Sequence, residues 1–143
     1  MQIRDLMTPA PIVATRETAI RTVLDSMIEH NIRHVPIVED AMVIGMLSQR
    51  DMTFLAGALD LFSDLDTSFI DSIIDMPLSR LDEMNMKLEG DVFTVDAGDD
   101  VMVAVDILIN KPVSALVVTE GPTERVVGIL SYVDILRWVR ERG

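Results

Sequence analysis

Two hydroxyl–carboxylate pairs hold most of the chemistry this chain could perform. Ser48 and Asp51 stand three residues apart, and so do Ser131 and Asp134. Each pair closes a similar phrase. The first is Gly45-Met46-Leu47-Ser48-Gln49-Arg50-Asp51 and the second is Gly128-Ile129-Leu130-Ser131-Tyr132-Val133-Asp134. Gly45 and Gly128, Ser48 and Ser131, and Asp51 and Asp134 are each 83 positions apart. A Val/Ile-rich run precedes both phrases and a helical pattern follows them, so each reads as strand, glycine turn and helix start. A serine at the N-cap with an acid three residues on makes a capping box. The same geometry offers an anion the free N–H groups of a helix start. A carboxylate there can also accept bonds from a sugar diol. Capping and binding are compatible.

An internal repeat sets the elements that must position these pairs. The apolar set Ile20, Val23, Leu24, Met27 and Ile28 lies on one helical face, with Thr18 as candidate N-cap and Asn31 as its end. Val101, Ala104, Val105, Leu108 and Ile109 repeat that set 81 positions on. Ile12-Val13 and Phe93-Thr94-Val95 are short strands ahead of the two helices. Val35-Pro36-Ile37-Val38 and Met42-Val43-Ile44 form a strand pair after the first helix. Val113 to Thr119 and Val126-Val127 form its counterpart, with a longer turn at Glu120 to Glu124. Each half is therefore β-α-β-β-α, and neither is large enough to bury its sheet well alone. Met7-Thr8-Pro9 and Pro11 mark an extended lead-in. Leu81-Asp82-Glu83-Met84 loosely echoes Arg4-Asp5-Leu6-Met7. The expected organisation is a first repeat over 1–60, an acidic amphipathic helical insert over 61–77, broken near Ser63 to Ser68, and a second repeat over 78–143.

Composition removes several function classes. Among 143 residues, 12 basic and 24 acidic side chains leave a net charge of −12. Such a surface repels nucleic-acid phosphates. The absence of cysteine excludes disulfides, thiolate zinc sites and cysteine nucleophiles. His30 and His34 are the only histidines, and no serine triad, P-loop or Rossmann glycine pattern is present. No ligand spacing suggests a metal site, so no catalytic or metal residue is assigned and no enzyme is expected. No apolar run is long enough to span a bilayer. The opening Met1-Gln2-Ile3-Arg4-Asp5 has no signal-peptide pattern, and a cytoplasmic location is expected. The ten methionines read as core filler.

With the repeat established, the chain resembles tandem cystathionine-beta-synthase-type (CBS) domains, the pair called a Bateman module. The motifs that carry the resemblance are Asp5-Leu6-Met7-Thr8-Pro9, Met27 to Asn31, Ile32 to Val38 and the two Ser-x-x-Asp phrases. The resemblance covers about 1–57 and 78–143. It implies an α/β (α+β) fold of two β-α-β-β-α repeats packed through their sheets with pseudo-twofold symmetry. It also implies regulatory binding of an adenine nucleotide or adenosyl ligand in clefts between the repeats. By position, Asp51 and Asp134 would take ribose hydroxyls, and Ser48 and Ser131 ribose or phosphate. Val13 and Thr15 in Ile12 to Thr15, and Thr94 and Val95 in Phe93 to Asp96, would line the adenine. Arg33-His34 falls where members of this family often carry phosphate ligands. Arginine's planar donor fork suits that role, and Arg50 beside Asp51 is a second candidate, with Arg16 a distant third. The second repeat has Ser114-Ala115 in place of Arg33-His34, with Lys111 and Arg125 not far along the chain. The resemblance has Arg33 and His34 serving the cleft of Asp134, so one tight site per chain is expected there.

The leading expectation is a stand-alone sensor of AMP, ADP, ATP or S-adenosylmethionine that signals to an effector protein or to its own assembly. A homodimer is expected, with Phe54, Leu55, Ile135 and Trp138 at the interface. The alternative is a dimerisation scaffold that binds no small molecule, in which both Ser-x-x-Asp phrases are caps alone.

Overall fold

Runs of β-branched and apolar residues make the strands, and three-and-four spacing makes the helices. In this computed structural model the described residues are 1–60, 67–83 and 92–142, with side chains described at all of these except 54, 56–60, 67–70 and 83. The strands are β1 (Thr8–Pro9), β2 (His34–Glu39), β3 (Met42–Ser48), β4 (Thr94–Asp96), β5 (Ala115–Glu120) and β6 (Arg125–Ser131). The helices are α1 (Ile20–Glu29), α2 (Gln49–Asp60), α3 (Thr67–Ile74), α4 (Arg80–Glu83), α5 (Val101–Asn110) and α6 (Tyr132–Arg142). A 3-10 turn at Ile3–Asp5 precedes them.

The chain forms two compact units. One comprises Met1–Pro11, Asp40–Met42 and Asp91–Gly143; the other comprises Ile12–Glu39 and Val43–Gly90. In the first, β4 runs parallel to β5, and β5 and β6 pair antiparallel. β1 then adds antiparallel to β6, giving the order β1-β6-β5-β4. Pro9 sits on this edge strand, where its missing N–H costs no ladder bond. The buried centre of the unit is Ile3, Val95, Ala97, Ala104, Leu116, Val118 and Leu130.

β2 and β3 form a two-stranded hairpin whose strands, apart from Met42, belong to the other unit. Its turn residues Asp40 and Ala41 have φ of 51° and 66°, the left-handed pair that a two-residue hairpin matching strand twist requires. The strand expected at Ile12-Val13 is reduced to one parallel bridge, Ala14 to Ile37. Ala14 accepts from Val38 N–H (2.8 Å) and donates to Pro36 O (2.9 Å). Val23, Met27, Val35, Ile37, Leu47 and Leu55 lie in its core. Leu55 was expected at an interface, but it is fully buried within its own unit.

Thr18 does not cap α1. The N-cap is Ala19, with no side-chain bond, and Thr18 Oγ1 instead accepts from Thr15 N–H (2.9 Å). Asp99 Oδ2 makes the same turn by accepting from Asp96 N–H (3.1 Å). The hydroxyl thus closes the turn before the helix, where it competes better than at the cap itself. Asn31 ends α1 in the left-handed conformation, φ 51°, as a helix stop commonly does.

Each core is completed by the segment that precedes the other repeat in the chain. Ile3 N–H donates to Asp99 O (2.9 Å), Arg4 N–H to Ala97 O (2.9 Å), and Val101 N–H to Met1 O (2.9 Å). In the other unit Leu78 N–H donates to Thr18 O (2.8 Å), Ser79 N–H to Arg16 O (3.0 Å), and Ile20 N–H to Met76 O (3.0 Å). The repeat residues in these bonds match 81 apart (18 with 99, 16 with 97, 20 with 101), and the strap residues match 75 apart (3 with 78, 4 with 79, 1 with 76). The echo of Arg4 to Met7 in Leu81 to Met84 was therefore two residues out of register, and Leu6 corresponds to Leu81. The second strap is also pinned by charge: Arg16 meets Asp82 (3.1 Å) and Glu39 (3.9 Å).

Of the acidic stretch between the repeats, 61–66 lies outside the described residues. α3 packs Ile73 and Ile74 against the Val23–Leu55 core. Asp71 on α3 and Asp75 just past its end meet Arg21 at 3.6 and 2.6 Å. The hydrogen bond to Asp75 raises the Arg21 pKa above its ordinary value.

Candidate functional site

Both Ser-x-x-Asp pairs fall at the junction of a strand and a helix, but the glycine turn expected before them is not formed: Gly45 and Gly128 lie inside β3 and β6, and each strand runs on to its serine. β3 ends at Ser48 and α2 begins at Gln49; β6 ends at Ser131 and α6 begins at Tyr132. Ser48 donates to Asp51 Oδ2 through its N–H (2.8 Å) and its hydroxyl (3.0 Å), and Asp51 N–H returns a bond to Ser48 Oγ (3.2 Å). Ser131 and Asp134 repeat this at 2.9, 3.1 and 3.3 Å. The capping box is therefore real in both halves. In both, Oδ2 takes both serine bonds, so the cap leaves Oδ1 with its acceptor capacity.

The helix starts are tied to the preceding loop in the same way. Gln49 N–H donates to Arg33 O (2.7 Å), and Tyr132 N–H donates to Ser114 O (3.2 Å). Arg33 is thus anchored by its backbone beside the Ser48–Asp51 pair of its own unit, with its side chain exposed. Arg50 is exposed on the first turn of α2. His34 opens β2 and is half-buried.

Val13 and Thr15 flank the Ala14 bridge. Ala14 uses its N–H and C=O on β2, so the backbone groups of its neighbours turn the other way. Thr94 and Val95 occupy the corresponding place on β4, an edge strand whose outer backbone groups the sheet leaves unpaired. Thr94 is exposed and Val95 buried, so Val95 can serve a ligand only through its backbone. The structure gathers Val13, Thr15, Arg33, His34, Ser48, Arg50 and Asp51 into one unit, and Thr94, Val95, Ser131 and Asp134 into the other.

One charged neighbour escaped the sequence reading. Arg137 Nη1 lies 3.7 Å from Asp134 Oδ1. The Asp–Arg spacing of three on a helix was the available signal. Among the described residues no group of three or more histidine or carboxylate side chains is arranged to hold a metal ion. No described helix is long and apolar enough to cross a membrane.

The family model of the CBS domain matches residues 3–56 and 85–141. The chain belongs to the CBS domain family. It is 26% identical over 136 residues to the uncharacterized protein MJ1225 of Methanocaldococcus jannaschii, covering 95% of this chain and 46% of that protein. The chain thus spans about half the length of the curated relative it matches. Among solved structures, the CBS domain pair of protein MJ0100, in complex with 5'-methylthioadenosine and S-adenosyl-L-methionine, superposes with a TM-score of 0.72 at 21% identity, over 100% of this chain and 98% of that one. CBSX2 in complex with AMP superposes with a TM-score of 0.68 at 20% identity, over 98% and 96% of the two chains. These likenesses establish a CBS-pair fold of two α+β repeats.

Proposed function

We propose that this chain is a regulatory, non-catalytic CBS pair that binds an adenine nucleotide or adenosyl ligand and signals to a partner or to its own assembly. The observation that carries this reading is the division of labour within each aspartate. Oδ2 is held by the serine, and Oδ1 remains as an acceptor beside a helix start. That is the donor and acceptor set a ribose with an anionic substituent needs. The 5'-methylthioadenosine, S-adenosyl-L-methionine and AMP held by the structural relatives share the adenosyl group. In this reading Asp134 and Asp51 take ribose hydroxyls, and the backbone at Thr94–Val95 and Val13–Thr15 lines the adenine. Arg33 and His34 supply phosphate donors, with Arg50 as a second source. The Asp134 site is the tighter one.

The completeness of both caps favours a second reading, a scaffold that binds no small molecule. A thermal shift separates the two. With AMP, ADP, ATP or S-adenosylmethionine at a hundredfold its dissociation constant, the folded state gains about 2.7 kcal/mol, and the melting temperature rises by several degrees. Unchanged melting with all four at millimolar concentration supports the scaffold.

A further inference from the structure

The two Ser–Asp pairs are alike in every bond of their caps and differ in the cations beside them. In the first repeat the position preceding the strand pair is Arg33, and the position three past Asp51 is Phe54. In the second repeat these positions are Ser114 and Arg137. Each repeat thus has an arginine at one of these two positions and not at the other. Arg137 Nη1 stands 3.7 Å from Asp134 Oδ1, the oxygen that Ser131 does not hold. The carboxylate is 14% exposed and the arginine 57% exposed. Among the described residues Arg137 has no other ion pair.

From this we infer that Arg137 is an anion-selecting residue of the Asp134 site, adding to the proposed donors Arg33 and His34 and favouring ligands with a phosphate over neutral adenosine. The inference rests on the proposed adenosyl-binding reading of that site. An i, i+3 pair at 3.7 Å with its guanidinium more than half exposed is weak, so a ribose diol that takes Oδ1 displaces the guanidinium at little cost. The side chain starts one turn into α6, and helical side chains lean back towards the start of their helix. The released guanidinium therefore stays within about a ribose length of the diol acceptor, where a 5'-phosphate can take its planar fork. On a chain of net charge −12 a local cation offsets the repulsion an anion meets.

Titration calorimetry with AMP and with adenosine tests this on the wild-type chain and on Arg137→Met and Arg137→Lys. Methionine keeps most of the stem and removes the charge. AMP affinity should fall about tenfold in Arg137→Met, adenosine affinity should hold, and lysine should restore part of the preference. A ligand-free melting temperature close to wild type confirms that the fold is intact. Equal losses for AMP and adenosine, or an unchanged AMP preference, overturn the role of Arg137 alone. A wild-type chain that binds neither compound overturns this inference, and the site reading falls with it only if ADP, ATP and S-adenosylmethionine also leave the melting temperature unchanged.

Discussion

Asp134 has a cap role on one oxygen and a proposed ligand role on the other, and the two can be measured apart. Oδ2 closes the cap with Ser131, and Oδ1 is the proposed diol acceptor. Asp134→Ala removes both. Loss of the cap should lower unfolding stability by about 0.5–2 kcal/mol, read as a lower midpoint in urea. Loss of the diol contact should weaken AMP binding by about 1.5–3 kcal/mol, read by calorimetry. Adenosine should lose as much as AMP, because the ribose is common to both. This distinguishes the aspartate from Arg137, whose removal should affect AMP alone. An Asp134→Ala protein that is less stable but binds AMP normally would leave only the cap. The cap was legible in the sequence because a spacing of three and a strand-to-helix switch define it locally. Arg137 was legible too, yet an Asp–Arg pair on a helix is so common that spacing alone does not single it out.

At the scale of elements, the strap Met1–Pro11 and the sheet it completes depend on Gly128. A Cβ at Gly128 would meet Met7 Cγ at 2.9 Å and Thr8 O at 3.0 Å, and would overlap Met7 Sδ. The methionine can move aside, but Thr8 is paired across β1 and β6. Gly128→Ala should therefore destabilise by roughly 1–3 kcal/mol through overpacking. Adding Met7→Ala should recover part of that loss. Strictly additive effects in urea unfolding would show that the strap does not carry the strain. Ile3 is the second anchor: it is fully buried in that core, so Ile3→Ala should cost about 2–5 kcal/mol. Both prolines and the extended lead-in were readable along the chain. Which sheet they join was not, because β1 pairs with β6 across some 120 residues.

For the whole molecule we expect a homodimer, close to twice 15.9 kDa by light scattering at micromolar concentration. Leu136 and Val139 on α6 are 58% and 53% exposed, and they replace Leu55 as interface candidates. Ile135 is partly engaged with its own core, Trp138 carries Arg142 4.9 Å from its ring, and the Phe54 side chain lies outside the described residues. Two chains of charge −12 repel, so the dimer should tighten as salt is raised from low to physiological strength. A monomer at every salt concentration would remove the dimer.

Taken alone, the residues determined the repeat, the α-β-β-α order common to both halves, both capping boxes and the family. All of these are written in spacings of a few residues or in one offset between halves. Only the tertiary structure decided that Met1–Asp5 completes the second repeat while 76–80 completes the first. Their common pattern is little more than Met-x-Ile/Leu-x-x-Leu, too short to align by eye, and six backbone hydrogen bonds set its register. The tertiary structure also decided that Arg16 is held by Asp82 and Glu39 and that Leu55 is interior. In each case the partner lies on another element or the backbone angle is set by one. A side chain's type states what it can bond, and the fold selects which bond is within reach.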